Sequence, residues 1–153
     1  MTSLENKSEA YVKSLQRNLM HSLRRGQLED ALFLLKKLQS EAPLSKPTRV
    51  LEVEVLIAEK KWSEARRVVN DLIKLFPDSS RLLKIAGEVA YHEKNYTEAL
   101  DHFTESERLF SHKETQLCLG RTLTQLANYA QAQAVLEQLV PGEPRAYNAL
   151  AWL

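Results

Sequence analysis

The chain has 153 residues, 44% of them hydrophobic, with four glycines and five prolines; this supports a buried core and excludes a glycine-rich β architecture or a low-complexity protein. Lysine and arginine (21) almost cancel aspartate and glutamate (20), so no overall field recruits nucleic acid. A single cysteine, Cys118, excludes an intrachain disulfide and a multi-cysteine zinc site.

In chain order, residues 1–10 (MTSLENKSEA) are polar, lack the apolar stretch of a secretory leader, and are expected to be a flexible N-terminus. From Tyr11 the apolar positions Tyr11, Leu15, Leu19 and Leu23 recur every four residues, the mark of one helical face, and Gly26 is placed to end it. A second helix is expected over 28–40, with Ala31, Leu34, Leu35 and Leu38 inward and Lys36 and Lys37 outward; Pro43 and Pro47 bracket the loop after it. The stretch VLEVEVLIA (50–58) alternates and is β-branched, which taken alone reads as a strand. Further on, helices are expected at about 62–76, up to 92, up to 110, 113–126 and 129–139, with Asn95 making the turn before Tyr96 and Ser79 among the cap acceptors after Pro77. The segment AYNALAWL (146–153) starts like one more helix. No run of about 18 apolar residues exists to span a membrane, and the default location is cytoplasmic.

A longer regularity organises these helices. Ala31, Ala65, Ala99 and Ala132 are separated by 34, 34 and 33 residues. Leu28, Trp62, Tyr96 and Tyr129 precede them by three, and Leu35, Val69, Phe103 and Leu136 follow by four. Such a period marks stacked helical hairpins. With Leu119-Gly120, Ala99, Phe103 and the prolines Pro43, Pro77 and Pro144, the pattern resembles the tetratricopeptide repeat over residues 11–144, Ser111 standing where the third repeat would have a proline. The repeat phase makes 50–58 a helix, with Arg49 and Glu52 in slots the family fills with apolar residues. The resemblance implies an all-α fold, an α-solenoid of antiparallel helix pairs wound into a right-handed superhelix. Its repeats fall at about 11–44, 45–78, 79–111 and 112–144, and residues 145–153 begin a fifth.

Little in the chain suggests catalysis. His21, His92, His102 and His112 have no ligand spacing on one helical face, and no phosphate-binding glycine loop, nucleophile elbow or HExxH occurs. Cys118, beside Leu119-Gly120, reads as a packing residue. No enzyme activity, metal or cofactor is expected. The periodic small residues, Gly87 opposite Ala99 among them, read as points where two helices approach closely, and Trp62, Tyr96 and Tyr129 as fillers at the turns. The basic doublets Arg24-Arg25, Lys36-Lys37, Lys60-Lys61 and Arg66-Arg67 all fall in the first half, while residues 78–111 carry seven acidic against four basic groups.

In the resembled family the working surface is the concave one, lined by the first helix of each repeat. Carried over by repeat phase, this implies three rows: Met20, Glu54, Glu88 and Arg121; Leu23, Ile57, Tyr91 and Thr124; and Gln16, Val50, Lys84 and Leu117. Met20, Glu54, Ile57, Lys84, Glu88, Tyr91 and Arg121 are the candidate partner-binding residues, for an extended peptide or an amphipathic helix. The subtype that clamps the carboxylate tail of chaperones is not expected, because Gln16 and Met20 hold the places of its Lys and Asn, and Glu54 and Glu88 would repel the tail. The function implied is a non-catalytic protein–protein scaffold within a larger protein; the alternative is a secretion-type chaperone holding a segment of an exported protein. No small-molecule substrate is expected. Tyr147, Leu150 and Trp152 are expected to expose an apolar face through which the chain self-associates.

Overall fold

A computed structural model describes residues 3–139, 141 and 144–151, the side chains of 3–7, 144 and 147 excepted. All regular structure among the described residues is helical: α1 Ser3–Arg24, α2 Leu28–Glu41, α3 Lys46–Ala58, α4 Trp62–Leu75, α5 Ser80–His92, α6 Tyr96–Leu109, α7 Lys113–Gln125, α8 Tyr129–Leu139 and α9 Pro144–Leu150. No described helix is long and apolar enough to cross a membrane. The chain divides into two compact units, Met1–Val68 and Val69–Leu153, the division falling inside α4.

In unit Met1–Val68, α1 starts at Ser3 and not near Tyr11, since no glycine or proline interrupts residues 3–24. Leu15, Leu19, Ala31, Leu35, Leu38, Leu51 and Val55 form its core. Tyr11 stays 44% exposed. A spacing of four residues overshoots a 3.6-residue turn, so each step drifts about 40° and the outer member leaves the face. The stretch over 50–58 is helical, with Val50, Leu51, Val53 and Val55 buried, so tertiary burial outweighs the local strand preference of the valines. Arg49 and Glu52, misfits in apolar slots, pair with each other at 3.3 Å. Pro47 lies in the first turn of α3, where the N–H it lacks would have no helical partner, so the α2–α3 loop closes earlier, at Ser45, which caps Thr48 N.

In unit Val69–Leu153, α6 packs against both α5 and α7, and α8 against α7 and α9. Ser106 Oγ donates 2.7 Å to the Ser80 carbonyl and fastens α6 to the start of α5. Where the third turn lacks its proline, Glu107 accepts from Ser111 Oγ, His112 N and Gln116 Nε2, a hydrogen-bonded knot in place of a fixed ring. What Gly87 meets first across the pair is not Ala99 but Phe103: a Cβ on Gly87 would lie 2.5 Å from the ring, so the glycine makes room for a phenyl group. Gly120 does the same for Leu136. Tyr96 fills its gap by stacking edge-on against Tyr91, ring centroids 5.3 Å apart. Tyr129 does not, remaining 52% exposed, because the residue one repeat after Tyr91 is Thr124 and offers no ring.

The expected exposure of the last helix is corrected in part. Ala146 is buried and Leu150 packs partly buried on Leu117, Leu136 and Leu139. The helix is laid onto α7 and α8 through its small and aliphatic residues. Trp152 and the Tyr147 side chain, on which self-association chiefly rests, lie outside the described residues.

Candidate functional site

Helix α5 is apolar almost all round. Leu82, Leu83, Ile85, Ala86, Gly87, Val89 and Ala90 are buried, and between them only Lys84 and Glu88 reach solvent, followed by Tyr91. These three are spaced four and three apart and so share one stripe. On α7 the matching stripe is Glu114, Cys118, Arg121 and Gln125, spaced four, three and four. The sequence thus puts its few polar residues on a helix otherwise buried along one line, and the two lines meet.

Lys84 is the link between them. Its Nζ lies 3.5 Å from Glu88 Oε1 on its own helix and 3.2 Å from Glu114 Oε2 on α7. Burial pulls the ammonium towards neutrality, but Glu88 and Glu114 outweigh it and hold its pKa above the ordinary lysine value. Cys118 sits between the carboxylates in the floor. Burial first, then Glu88, pushes its thiol up to about 11, so it is neutral and a poor nucleophile near pH 7. Farther along, burial raises the Tyr91 phenol, against the opposing effect of its hydrogen bond with Gln125. Tyr91, Arg121, Thr124, Gln125, Asn148 and Ala149 line a recess of about 250 Å³. Thr124 spends its hydroxyl proton on the Gly120 carbonyl at 2.9 Å and can only accept from a guest. Arg121 is exposed and makes no ion pair among the described residues.

Of the seven candidate residues, Lys84, Glu88, Tyr91 and Arg121 come together here. Met20, Glu54 and Ile57 belong to the other unit. Met20 packs against the core of that unit, and Glu54 and Ile57 are half-buried on α3. Two members of the third row, Val50 and Leu117, are 4% and 1% exposed and serve as core, not lining. Gln125, Asn148 and Ala149 were not among the expected residues. Gln125 continues the Glu114–Cys118–Arg121 spacing by one further turn, a signal present in the sequence; Asn148 and Ala149 carry no such signal.

A family model described as Tetratricopeptide repeat matches residues 22–87. No curated protein matches the sequence itself. Among solved structures, a thermophilic TPR protein of Thermus thermophilus is similar at 18% identity and a TM-score of 0.79, over 92% of this chain and 79% of that one. MamA of Desulfovibrio magneticus is similar at 13% identity and a TM-score of 0.68, over 85% and 74%. A chain of the Naa15/Naa10 complex bound to HypK-THB is similar at 19% identity and a TM-score of 0.70, over 92% of this chain, which spans only 22% of that one. Over residues 22–87 the sequence matches the tetratricopeptide repeat, and the fold is that of the tetratricopeptide-repeat protein it resembles.

Proposed function

We propose that the chain is a non-catalytic protein-interaction scaffold and that the α5–α7 valley, with the recess at α9, receives a segment of a partner protein. The observation that carries this reading is the middle of α5, where over residues 82–90 every side chain is buried except Lys84 and Glu88, with Tyr91 following on the same stripe. Lys84 and Glu88 already hold each other and Tyr91 bonds with Gln125, so the stripe is ordered before a partner arrives and little side-chain freedom is left to lose on binding. The similar chain in the Naa15/Naa10 complex is found with other proteins, which fits a scaffold role. The same reading extends to Met20, Glu54 and Ile57 as a second set of contacts on the other unit.

The test is partner capture from native extract by the chain and by Tyr91→Ala/Glu88→Ala. Helicity by circular dichroism should be unchanged and the captured protein lost. Capture that survives this pair but is lost on Lys36→Glu, an exposed change on α2, would move the site elsewhere.

A further inference from the structure

We infer that the valley reads the order of charges on its partner: it takes a helical segment that sets a basic side chain against Glu114 and, seven residues on, a carboxylate side chain against Arg121. This rests on the reading above and gives it a chemistry.

Glu114 and Arg121 lie on one face of α7, two turns and about 10.5 Å apart. A partner helix laid alongside has the same rise, so its residues i and i+7 meet both groups at once. Glu114 is the acidic end. It gives Oε2 to Lys84, and with its side chain 44% exposed the second oxygen can still accept from a donor. Lys84 is already shared between Glu114 and Glu88, so it does not turn this end basic. Arg121 is the basic end, exposed, without an ion pair among the described residues, and flanked in the recess by Tyr91, Gln125 and Asn148. Its planar fork of donors suits a carboxylate. Between the two ends Cys118 is neutral and half-buried, and a carbon side chain fits against it. A partner lying the other way would set carboxylate on carboxylate and cation on guanidinium, so the order of charges fixes direction.

Four capped, alanine-rich helical peptides test this, differing only at two positions seven apart: Lys/Glu, Glu/Glu, Lys/Lys and Gln/Gln. Each is titrated at low salt into the ¹⁵N-labelled full chain, and the signals of Arg121 Nε–H, Gln125 and Asn148 are followed. Exposed ion pairs are individually weak, so the Lys/Glu peptide should bind about fivefold tighter than the other three. Arg121→Gln or Glu114→Gln alone should remove that preference. The exchange Glu114→Arg/Arg121→Glu should restore it with the peptide reversed, as a nitroxide on one peptide end will show. Equal binding of Glu/Glu and Lys/Glu, tighter binding of a peptide with a free terminal carboxylate, or no valley shift at millimolar peptide would each overturn the inference. Equal binding of all four would overturn it too, while leaving the groove reading intact if Tyr91→Ala weakens them all.

Discussion

The first helix pair, α1 and α2, and the third, α5 and α6, solve one packing problem with opposite allocations of volume. In repeat register Leu19 corresponds to Gly87 and Leu35 to Phe103. In the first pair two leucines, 0% and 7% exposed, share the space within one cluster. In the third a glycine yields nearly all of it to a phenyl ring that is 1% exposed. What the repeat specifies at these two positions is a filled volume. Its division between the helices is free, because dispersion and burial depend on contact and not on which backbone supplies it. The alanines at 31, 65, 99 and 132 are different: the same small residue stands there in all four pairs, 0% exposed each time.

The largest effect that tests this contrast is a cavity. Phe103→Ala should cost about 3–5 kcal/mol, since the residue opposite is a glycine with no side chain to move in. Leu35→Ala should lie near the lower end of about 2–5 kcal/mol, because Leu19 and its neighbours can relax towards the hole. Urea denaturation of both variants decides it; equal losses would mean the two pairs do not differ in how they fill space.

Overpacking comes next. Ala99→Leu should destabilise by about 1–3 kcal/mol, forced against Ala90 and Phe103. Gly87→Ala should lose a similar amount to the ring, reduced by the roughly 1 kcal/mol that alanine gains in a helix. The sharper form of this test writes the first pair's solution into the third. Gly87→Leu/Phe103→Leu should be more stable than Gly87→Leu alone, since shortening the ring frees the space the new side chain needs. Losses that simply add would show that the two positions do not share a volume.

Apart from the start of α1, which lies at Ser3 and not near Tyr11, the helices were legible in the sequence nearly to the residue, because four copies of one hairpin average out local ambiguity. The valines of α3 favour a strand by themselves and are decided only by the phase of Trp62 and Ala65. Packing partners were less legible. Spacing places Gly87 and Ala99 on facing helices, but which atoms meet depends on how far a side chain reaches, and Phe103 reaches farther than Ala99. The site was half legible for the same reason. Repeat phase assigns Lys84, Glu88, Tyr91 and Arg121 to one surface, yet it assigns Val50 and Leu117 there too, and the packing of neighbouring helices buries them. Asn148 enters the recess only because α9 docks on α7 and α8, a tertiary event without a motif.

The smallest effect concerns a feature that all four hairpins share and only one makes from the favoured residue. Gly26, Lys60, Lys94 and Ala127 hold φ of 70°, 60°, 63° and 59° at the turn between paired helices. Each donates its N–H to the carbonyl three residues back, and the next residue donates to the carbonyl five back, as at Ala127 N to Thr124 O and Asn128 N to Leu123 O. This is the left-handed helix ending that glycine adopts without penalty, whereas a Cβ there costs about 1 kcal/mol. Ala127 is exposed, so exchanging it removes no buried contact. Ala127→Gly should therefore raise stability by up to about 1 kcal/mol, the relief of strain being partly offset by the greater freedom glycine gives the unfolded chain. Lys60→Gly, in the other unit's turn, should act in the same direction, and Gly26→Ala should lose what they gain. A urea midpoint that rises for Ala127→Gly and falls for Gly26→Ala places the cost in the backbone conformation, independent of how each pair divides its core. A fall for both would mean that Ala127 is not left-handed, and the shared turn would be lost as a common element.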